Sequence, residues 1–365
     1  MRIVFIETTE KTRPGLTRLS KSLAEDGHEV CVLLPEKARE NLDRVERIDY
    51  RFYSATTVPG VRYTLVSRSF YRTYRDALTD ADVVHIFSYF YPPCTLAAVI
   101  ADRNDTNCIV TIDSLPGINW SYGNRIVDCI GSIYTHTLGR LTFNAADRVT
   151  LLGDYLRSDV SRFTSTQKVE TIPNGIDTST YVPAERSRRS DADVELLYVG
   201  RLDTVKGIPL LLESMRVLDG ERDADIRLTI VGDGTKRAEY EEYCSTLGIR
   251  DIVTFEGHVD DTVEYYNSHD VLVLPSVSEG QPNVVMEAQA CGVPVVSTDV
   301  GSVNEMIAVG RVIDSREPRD LAAAITSVVE SDDGSRAEAA QSHIESRYSI
   351  EKVCEEYLDL YERVA

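Results

Sequence analysis

Leu274-Pro275-Ser276-Val277-Ser278-Glu279-Gly280-Gln281-Pro282-Asn283-Val284-Val285-Met286-Glu287-Ala288 is the stretch from which the fold is read. An apolar run ends at Leu274 and a polar, glycine-containing turn follows. A helix is expected from near Pro282, because proline is favoured in a first helical turn. Strand end, loop and helix N-terminus, in that order, are where open α/β sheets take their ligands. The unpaired N–H groups of the first turn and the positive end of the helix dipole attract an anion such as a diphosphate. Glu279 falls in the loop and Glu287 about one turn into the helix, with Gly280 and Asn283 between them. Two such carboxylates can address one cleft at different depths, one meeting a sugar hydroxyl and the other a ribose hydroxyl. Charged hydrogen bonds of this kind exceed neutral ones. Taken alone, the spacing equally suits two helix-surface glutamates.

A second stretch repeats the pattern. Val199-Gly200-Arg201-Leu202-Asp203-Thr204-Val205-Lys206-Gly207 follows one apolar run and precedes a helical one. It sets a glycine, a guanidinium and an ammonium at one strand end, which is the composition of a diphosphate clamp. Further out, Ile3–Ile6, Val30–Leu34, Val83–Phe87, Ile109–Ile112 and Val149–Leu152 are short, β-branched and apolar on consecutive positions, as strands buried on both faces are. Leu16–Asp26 between the first two is a helical pattern ended by Gly27, so βαβ units and a parallel sheet follow. The series restarts with strands at Glu195–Val199, Ile226–Val231, Ile252–Phe255, Val271–Leu274 and Pro294–Ser297, and helices at Ile208–Asp219 and Lys236–Leu247. Two Rossmann-like domains are therefore expected over residues 1–175 and 176–345, with an amphipathic helix in residues 346–365. Tyr181–Asp193, rich in charge, Ser and Pro, reads as an interdomain linker.

Bulk properties narrow the class. The 365 residues exceed what one core usually carries, and 42 % apolar with 27 % charged residues is globular. No run is long enough to span a bilayer, and Met1–Ile6 reads as a buried strand rather than a leader. Seven cysteines, never spaced Cys-x-x-Cys, fit buried thiols in a reducing compartment, so a cytoplasmic protein is expected. The net charge of −20 disfavours nucleic acid and suits a high-salt cytoplasm. No Gly-x-Gly-x-x-Gly follows the first strand, which argues against a nicotinamide or flavin enzyme. Asp191-Ala192-Asp193 lies in the linker and reads as solvated acid rather than a metal site; Asp260-Asp261 reads as a turn or helix start.

These motifs resemble glycosyltransferase family 4, retaining enzymes of the GT-B fold. The resemblance runs through Ile172-Pro173-Asn174-Gly175-Ile176-Asp177, Gly200-Arg201 with Lys206-Gly207, Val231-Gly232-Asp233-Gly234, Phe255-Glu256-Gly257-His258-Val259, the Glu279 and Glu287 pair, and Asp299-Val300-Gly301 with Glu305. It implies a nucleotide-sugar donor, no cofactor and no metal. Arg201 and Lys206 would bind the diphosphate, Glu287 the ribose and Glu279 the transferred sugar, while the backbone at His258 and Val259 would meet the base. The last helix would brace the amino-terminal domain. The acceptor implied is a glycan or lipid-linked saccharide.

The first domain departs from that pattern. Where many family members carry a histidine facing the donor sugar, this chain has Asp113, which can orient a hydroxyl or cap the next turn. His85 reads as structural. Gly15, placed in the loop after the first strand, either lets backbone N–H groups approach a ligand or is a plain loop glycine. Val61–Leu78 reads as a basic, aromatic helix carrying Arg62, Arg68, Arg72 and Arg75 beside Tyr63, Phe70, Tyr71 and Tyr74. It suits either a peripheral contact with anionic lipid at the inner membrane face or a solvated basic face. Trp120 suits either sugar stacking or a core anchor.

Overall fold

The computed structural model describes residues 1–10, 12–58, 63–120, 125–184, 192–221, 225–331 and 336–365. The chain forms two compact units, Met1–Gly175 together with Ile350–Ala365, and Ile176–Ser349. In the first unit the strands are β1 (Arg2–Ile6), β2 (Glu29–Pro35), β3 (Ile48–Tyr53), β4 (Thr56–Val58), β5 (Tyr63–Leu65), β6 (Val83–Phe87), β7 (Asn107–Ile112), β8 (Arg148–Leu151) and β9 (Val169–Thr171). Seven of them form a parallel sheet in the order β3-β2-β1-β6-β7-β8-β9, and β4 pairs antiparallel with β5. In the second unit β10 (Val194–Val199), β11 (Ile226–Val231), β12 (Val253–Gly257), β13 (Val271–Leu274), β14 (Val295–Thr298) and β15 (Gly310–Ile313) form a parallel sheet ordered β12-β11-β10-β13-β14-β15.

The apolar runs are strands because helices cover both sides of each sheet. Ile3, Val4, Phe5 and Ile6 of β1 are all fully buried, and neighbouring residues point to opposite clusters. Val4 and Ile6 join Phe70, Tyr74, Tyr134 and Phe143 on one face. Ile3 and Phe5 join Leu16, Leu19, Leu23, Tyr357 and Tyr361 on the other. Helix Ile350–Val364 is thus a core element of the first unit, packed beside helix Pro14–Glu25.

Three expectations change. The chain passes between units at Gly175 and Ile176, and returns at Ser349 and Ile350 rather than at residue 346. Tyr181–Ala184 of the expected linker belong to the second unit, with Tyr181 against the Tyr266 ring and Ala184 N donating to Asn267 Oδ1 at 2.8 Å; Asp191 lies outside the described residues. The expected helix over Val61–Leu78 is only Arg68–Leu78, preceded by β5. Phe70 and Tyr74 of that helix are fully buried, because its apolar side seals the sheet, so they are not interfacial aromatics. Arg68, Arg72 and Arg75 are exposed; Arg62 lies outside the described residues. Six cysteines are buried, but Cys129 is exposed.

His85 sits fully buried on β6, its Nδ1 2.6 Å from the Tyr361 hydroxyl and its Nε2 2.6 Å from the Thr111 hydroxyl. Burial pushes its pKa down from 6.5 to about 3. Between those values the unfolded chain binds a proton that the folded chain refuses, so stability falls as pH drops from 6.5 towards 3. The expected loss is about 1.4 kcal/mol per pH unit from this residue. Urea melts at neutral and mildly acidic pH check it: the native protein should lose stability more steeply than a His85→Gln variant, and equal slopes would contradict the assignment.

Candidate functional site

In the second sheet the strand order reverses between β10 and β13, the point at which open α/β sheets take their ligands. Both candidate clamps sit there. After β10 come Gly200, Arg201 and a short turn at Thr204–Lys206; after β13 come Ser276, Glu279 and Gly280, then helix Asn283–Ala290. Lys206 Nζ donates to Glu279 Oε1 at 2.6 Å, and Ser276 Oγ donates to the same oxygen at 2.6 Å. The side chains of Lys206 and Glu279 are only 17 % and 9 % exposed, so each charge is held in place by the other. Arg201 is the opposite case. Its side chain is 71 % exposed and pairs with Asp203 at 3.2 Å, a surface pairing worth little and easily exchanged for a bound anion.

Backbone approach fixes the two loops. Val277 N donates to Val205 O at 2.8 Å, and Gly207 adopts a left-handed conformation (φ 67°) with Pro275 O where a Cβ would be. Gly301 (φ 58°) does the same under Gly280, whose carbonyl accepts from Ser302 N at 3.0 Å. A Cβ at Gly207 would lie 2.0 Å from Pro275 O. Gly207→Ala is therefore expected to cost at least about 2 kcal/mol, from the left-handed backbone and the forced separation of the loops. Thermal unfolding checks it; an unchanged melting temperature would mean the loops are not locked here.

Glu287 is buried inside helix Asn283–Ala290, and Tyr266 OH donates to its Oε2 at 2.7 Å. Burial and the neighbouring carboxylate push the Tyr266 phenol well up, so it stays a donor. The helix begins one residue after Pro282, and Asn283 in its first turn leaves a buried Oδ1 without a hydrogen-bond partner. That oxygen is an acceptor suited to a ligand hydroxyl or amide. His258 and Val259 follow β12, two strands from β10. His258 is exposed with Asp260 at 3.6 Å, while Val259 is half-buried against the core. Gly232 N donates to Gly257 O at 2.7 Å and Gly200 N to Val231 O at 2.9 Å, so the loops after β12, β11 and β10 lie side by side. Asp261 lies just before helix Val263–Ser268, its Oδ1 accepting from Val263 N at 2.9 Å.

The first unit holds a separate polar group at its own order reversal, between β1 and β6. Glu7, directly after β1, is fully buried. Its Oε1 accepts from Thr8 N at 2.9 Å, Thr9 N at 3.0 Å, Thr9 Oγ1 at 2.9 Å and an Arg13 guanidinium nitrogen at 2.6 Å. The same nitrogen donates to Phe87 O at the end of β6 at 2.9 Å. Burial opposes the Arg13 charge, but Glu7 and Asp113 outweigh it and raise the guanidinium pKa above its ordinary value. Arg13 Nε lies 3.8 Å from Asp113 Oδ2, and Asp113 is also held through its carbonyl, which accepts from Tyr155 OH at 2.6 Å. Gly15 is not in the loop: it lies in the first turn of helix Pro14–Glu25, buried, with Asn174 Oδ1 1.9 Å from where a Cβ would be. Its small size is explained by that packing. Trp120 closes its own loop, its carbonyl accepting from Gly117 N at 2.8 Å; Ser121–Gly123 lie outside the described residues.

The sequence brought Gly200, Arg201, Lys206, Glu279, Gly280, Asn283 and Glu287 to one sheet edge. It missed Glu7, Arg13, Ser276 and Tyr266. A lone carboxylate directly after an all-apolar strand was the available signal for Glu7; nothing local marks Ser276 or Tyr266.

Residues 15–180 match the family described as Glycosyltransferase Family 4, and residues 193–331 match that described as Glycosyl transferases group 1. An uncharacterized glycosyltransferase of Methanocaldococcus jannaschii is 30 % identical over 273 residues, covering 68 % of this chain and 69 % of that protein. The D-inositol 3-phosphate glycosyltransferase of Paenarthrobacter aurescens is 31 % identical over 200 residues, 51 % of this chain and 48 % of that protein. The chain spans about half the length of the inositol-phosphate enzymes it matches. Among solved structures, Anabaena HepE in complex with UDP superposes with a TM-score of 0.79 at 17 % identity, covering 100 % of both chains. The fold is GT-B.

Proposed function

The chain belongs to glycosyltransferase family 4, and from that premise we propose that it transfers a hexose from a nucleoside-diphosphate sugar, with retention of anomeric configuration and without a metal. The carrying observation is the buried Lys206–Glu279 pair at the order reversal of the second sheet. Lys206 and Arg201 supply positive charge to the departing diphosphate, the work a divalent ion does in other transferases. Glu279, oriented by Ser276 and Lys206, accepts from hydroxyls of the donor sugar. Glu287, oriented by Tyr266, accepts from the ribose hydroxyls, and Asn283 Oδ1 takes a further donor from the ligand. The acceptor hydroxyl enters on the face the diphosphate leaves, its proton passing to a departing phosphate oxygen. The acceptor is a glycan or lipid-linked saccharide. Asp113, steadied by Arg13, orients a hydroxyl in the first unit.

Incubation with UDP-, GDP- and ADP-hexoses in chelator, followed by proton NMR, tests this. The expected outcome is consumption of one donor with the anomeric configuration kept in the transferred or released sugar. Inversion would contradict the mechanism, and a need for added divalent metal would contradict the role given to the two cations. Tight donor binding with no turnover on any acceptor would instead favour a nucleotide-sugar-binding subunit.

A further inference from the structure

Residues Arg125–Tyr134, a π turn at Thr135–Gly139 and Arg140–Ala145 form one helical segment that buries a single side. Gly131, Tyr134, Thr135, Thr142 and Phe143 face the core. On the opposite side Ile126, Ile130 and Ile133, spaced i, i+4 and i+7, are 72 %, 57 % and 60 % exposed, and Leu141 is 48 % exposed. One exposed isoleucine is ordinary, but a contiguous apolar stripe on a helix marks an interaction surface.

Charge decides what covers it. In a chain with 59 Asp and Glu residues and a net charge of −20, this segment has a single carboxylate, Asp128, which is half-buried and partnered. Arg125 and Arg140 are exposed at the two ends of the stripe. Helix Arg68–Leu78 packs on the same face of the first sheet, sharing a buried cluster with Tyr134 and Phe143, and leaves Arg68, Arg72 and Arg75 exposed. An apolar stripe with cations at its ends complements an anionic lipid surface, where the side chains enter the acyl boundary and the guanidinium groups meet phosphates. A second copy fits worse, because a two-fold axis along the stripe sets Arg125 against Arg125 of its mate, and one across the stripe sets Arg125 against Arg140. We infer that the Ile126, Ile130, Ile133 face of this helix docks the protein on an anionic bilayer, lying in the interface rather than crossing it. Among the described residues no helix is long and apolar enough to cross a membrane.

Flotation with phosphatidylcholine–phosphatidylglycerol vesicles, and with phosphatidylcholine alone, tests the inference on the full chain. The native protein should float with the anionic vesicles. Ile126→Ser, Ile130→Ser and Ile133→Ser together should lower partitioning roughly a hundredfold. Arg125→Ala with Arg140→Ala should lower it roughly tenfold on anionic vesicles and little on neutral ones. Circular dichroism and melting temperature report whether the triple variant folds. Should it not, Ile126→Ser alone is read, with a loss of roughly fivefold. Absence of flotation by the native protein, or flotation indifferent to the serine substitutions, overturns the inference. A native dimer in ultracentrifugation that the serines dissociate, without vesicle binding, overturns it in favour of a second copy.

Discussion

Lys206→Ala is expected to slow sugar transfer by about 10²–10³-fold, the usual loss when one preorganised group stabilising developing negative charge is removed. Lys206 carries its charge in a poorly solvated position, held by Glu279 Oε1 at 2.6 Å, so no reorientation is needed as the diphosphate departs. Arg201 is largely exposed and cannot substitute for a pre-positioned ammonium. The substitution also leaves the Glu279 carboxylate with Ser276 as its one side-chain donor among the described residues, so some stability is lost as well. The two effects separate in a Lys206→Ala, Glu279→Gln double variant. Neutralising Glu279 should recover the melting temperature but not turnover. Recovery of both would make Lys206 a structural counter-ion, and turnover within a few-fold of native in Lys206→Ala would remove it from the mechanism.

The largest stability effect is expected at Arg13→Ala, about 3–5 kcal/mol, because it leaves a buried carboxylate without its counter-charge. Glu7 is fully buried and, among the described residues, keeps Thr8, Thr9 and the Arg13 backbone N–H as donors once the guanidinium is gone. The same change frees Phe87 O at the end of β6 and removes the cation nearest Asp113. Denaturant melts and amide exchange along β1 should both register the loss. A Glu7→Leu, Arg13→Met double variant should be much less destabilised than Arg13→Ala, since paired removal leaves no orphan charge. Equal losses in the two variants would mean packing rather than charge dominates.

What was legible in the sequence was whatever depends on neighbours in the chain. The β-branched runs gave the parallel strands, and the apolar period of Ile350–Val364 gave that helix with its ends in place. The return of the chain at Ser349 and Ile350 was not legible, because it is set by two distant segments meeting: Ile176 N donates to Tyr348 O at 2.9 Å, and Ile176 forms a bridge with Ser349. Composition set Tyr181–Asp193 apart as a linker, although Tyr181–Ala184 belong to the second unit. Likewise Gly207 and Gly301 are demanded by carbonyls 68 and 21 residues away, Pro275 O and Gly280 O, which no local pattern reveals. The aromatic spacing in Val61–Leu78 left a lipid-facing and a packed reading both open, because Phe70 and Tyr74 share a helix with three arginines. Their burial shows that the apolar side is taken by the sheet, while an exposed apolar stripe lies in Arg125–Ala145. Glu7 and Arg13 were passed over because an ion pair six residues apart across a strand end has no periodicity.

Calorimetric titration of the folded protein with UDP-, GDP- and ADP-hexoses, beside Lys206→Ala and Glu287→Gln, tests most directly that the order reversal of the second sheet is the donor site. The account predicts that one nucleotide binds and that both substitutions weaken it, Glu287→Gln through the ribose and Lys206→Ala through the diphosphate. No binding across the panel, or binding that neither substitution changes, would contradict it.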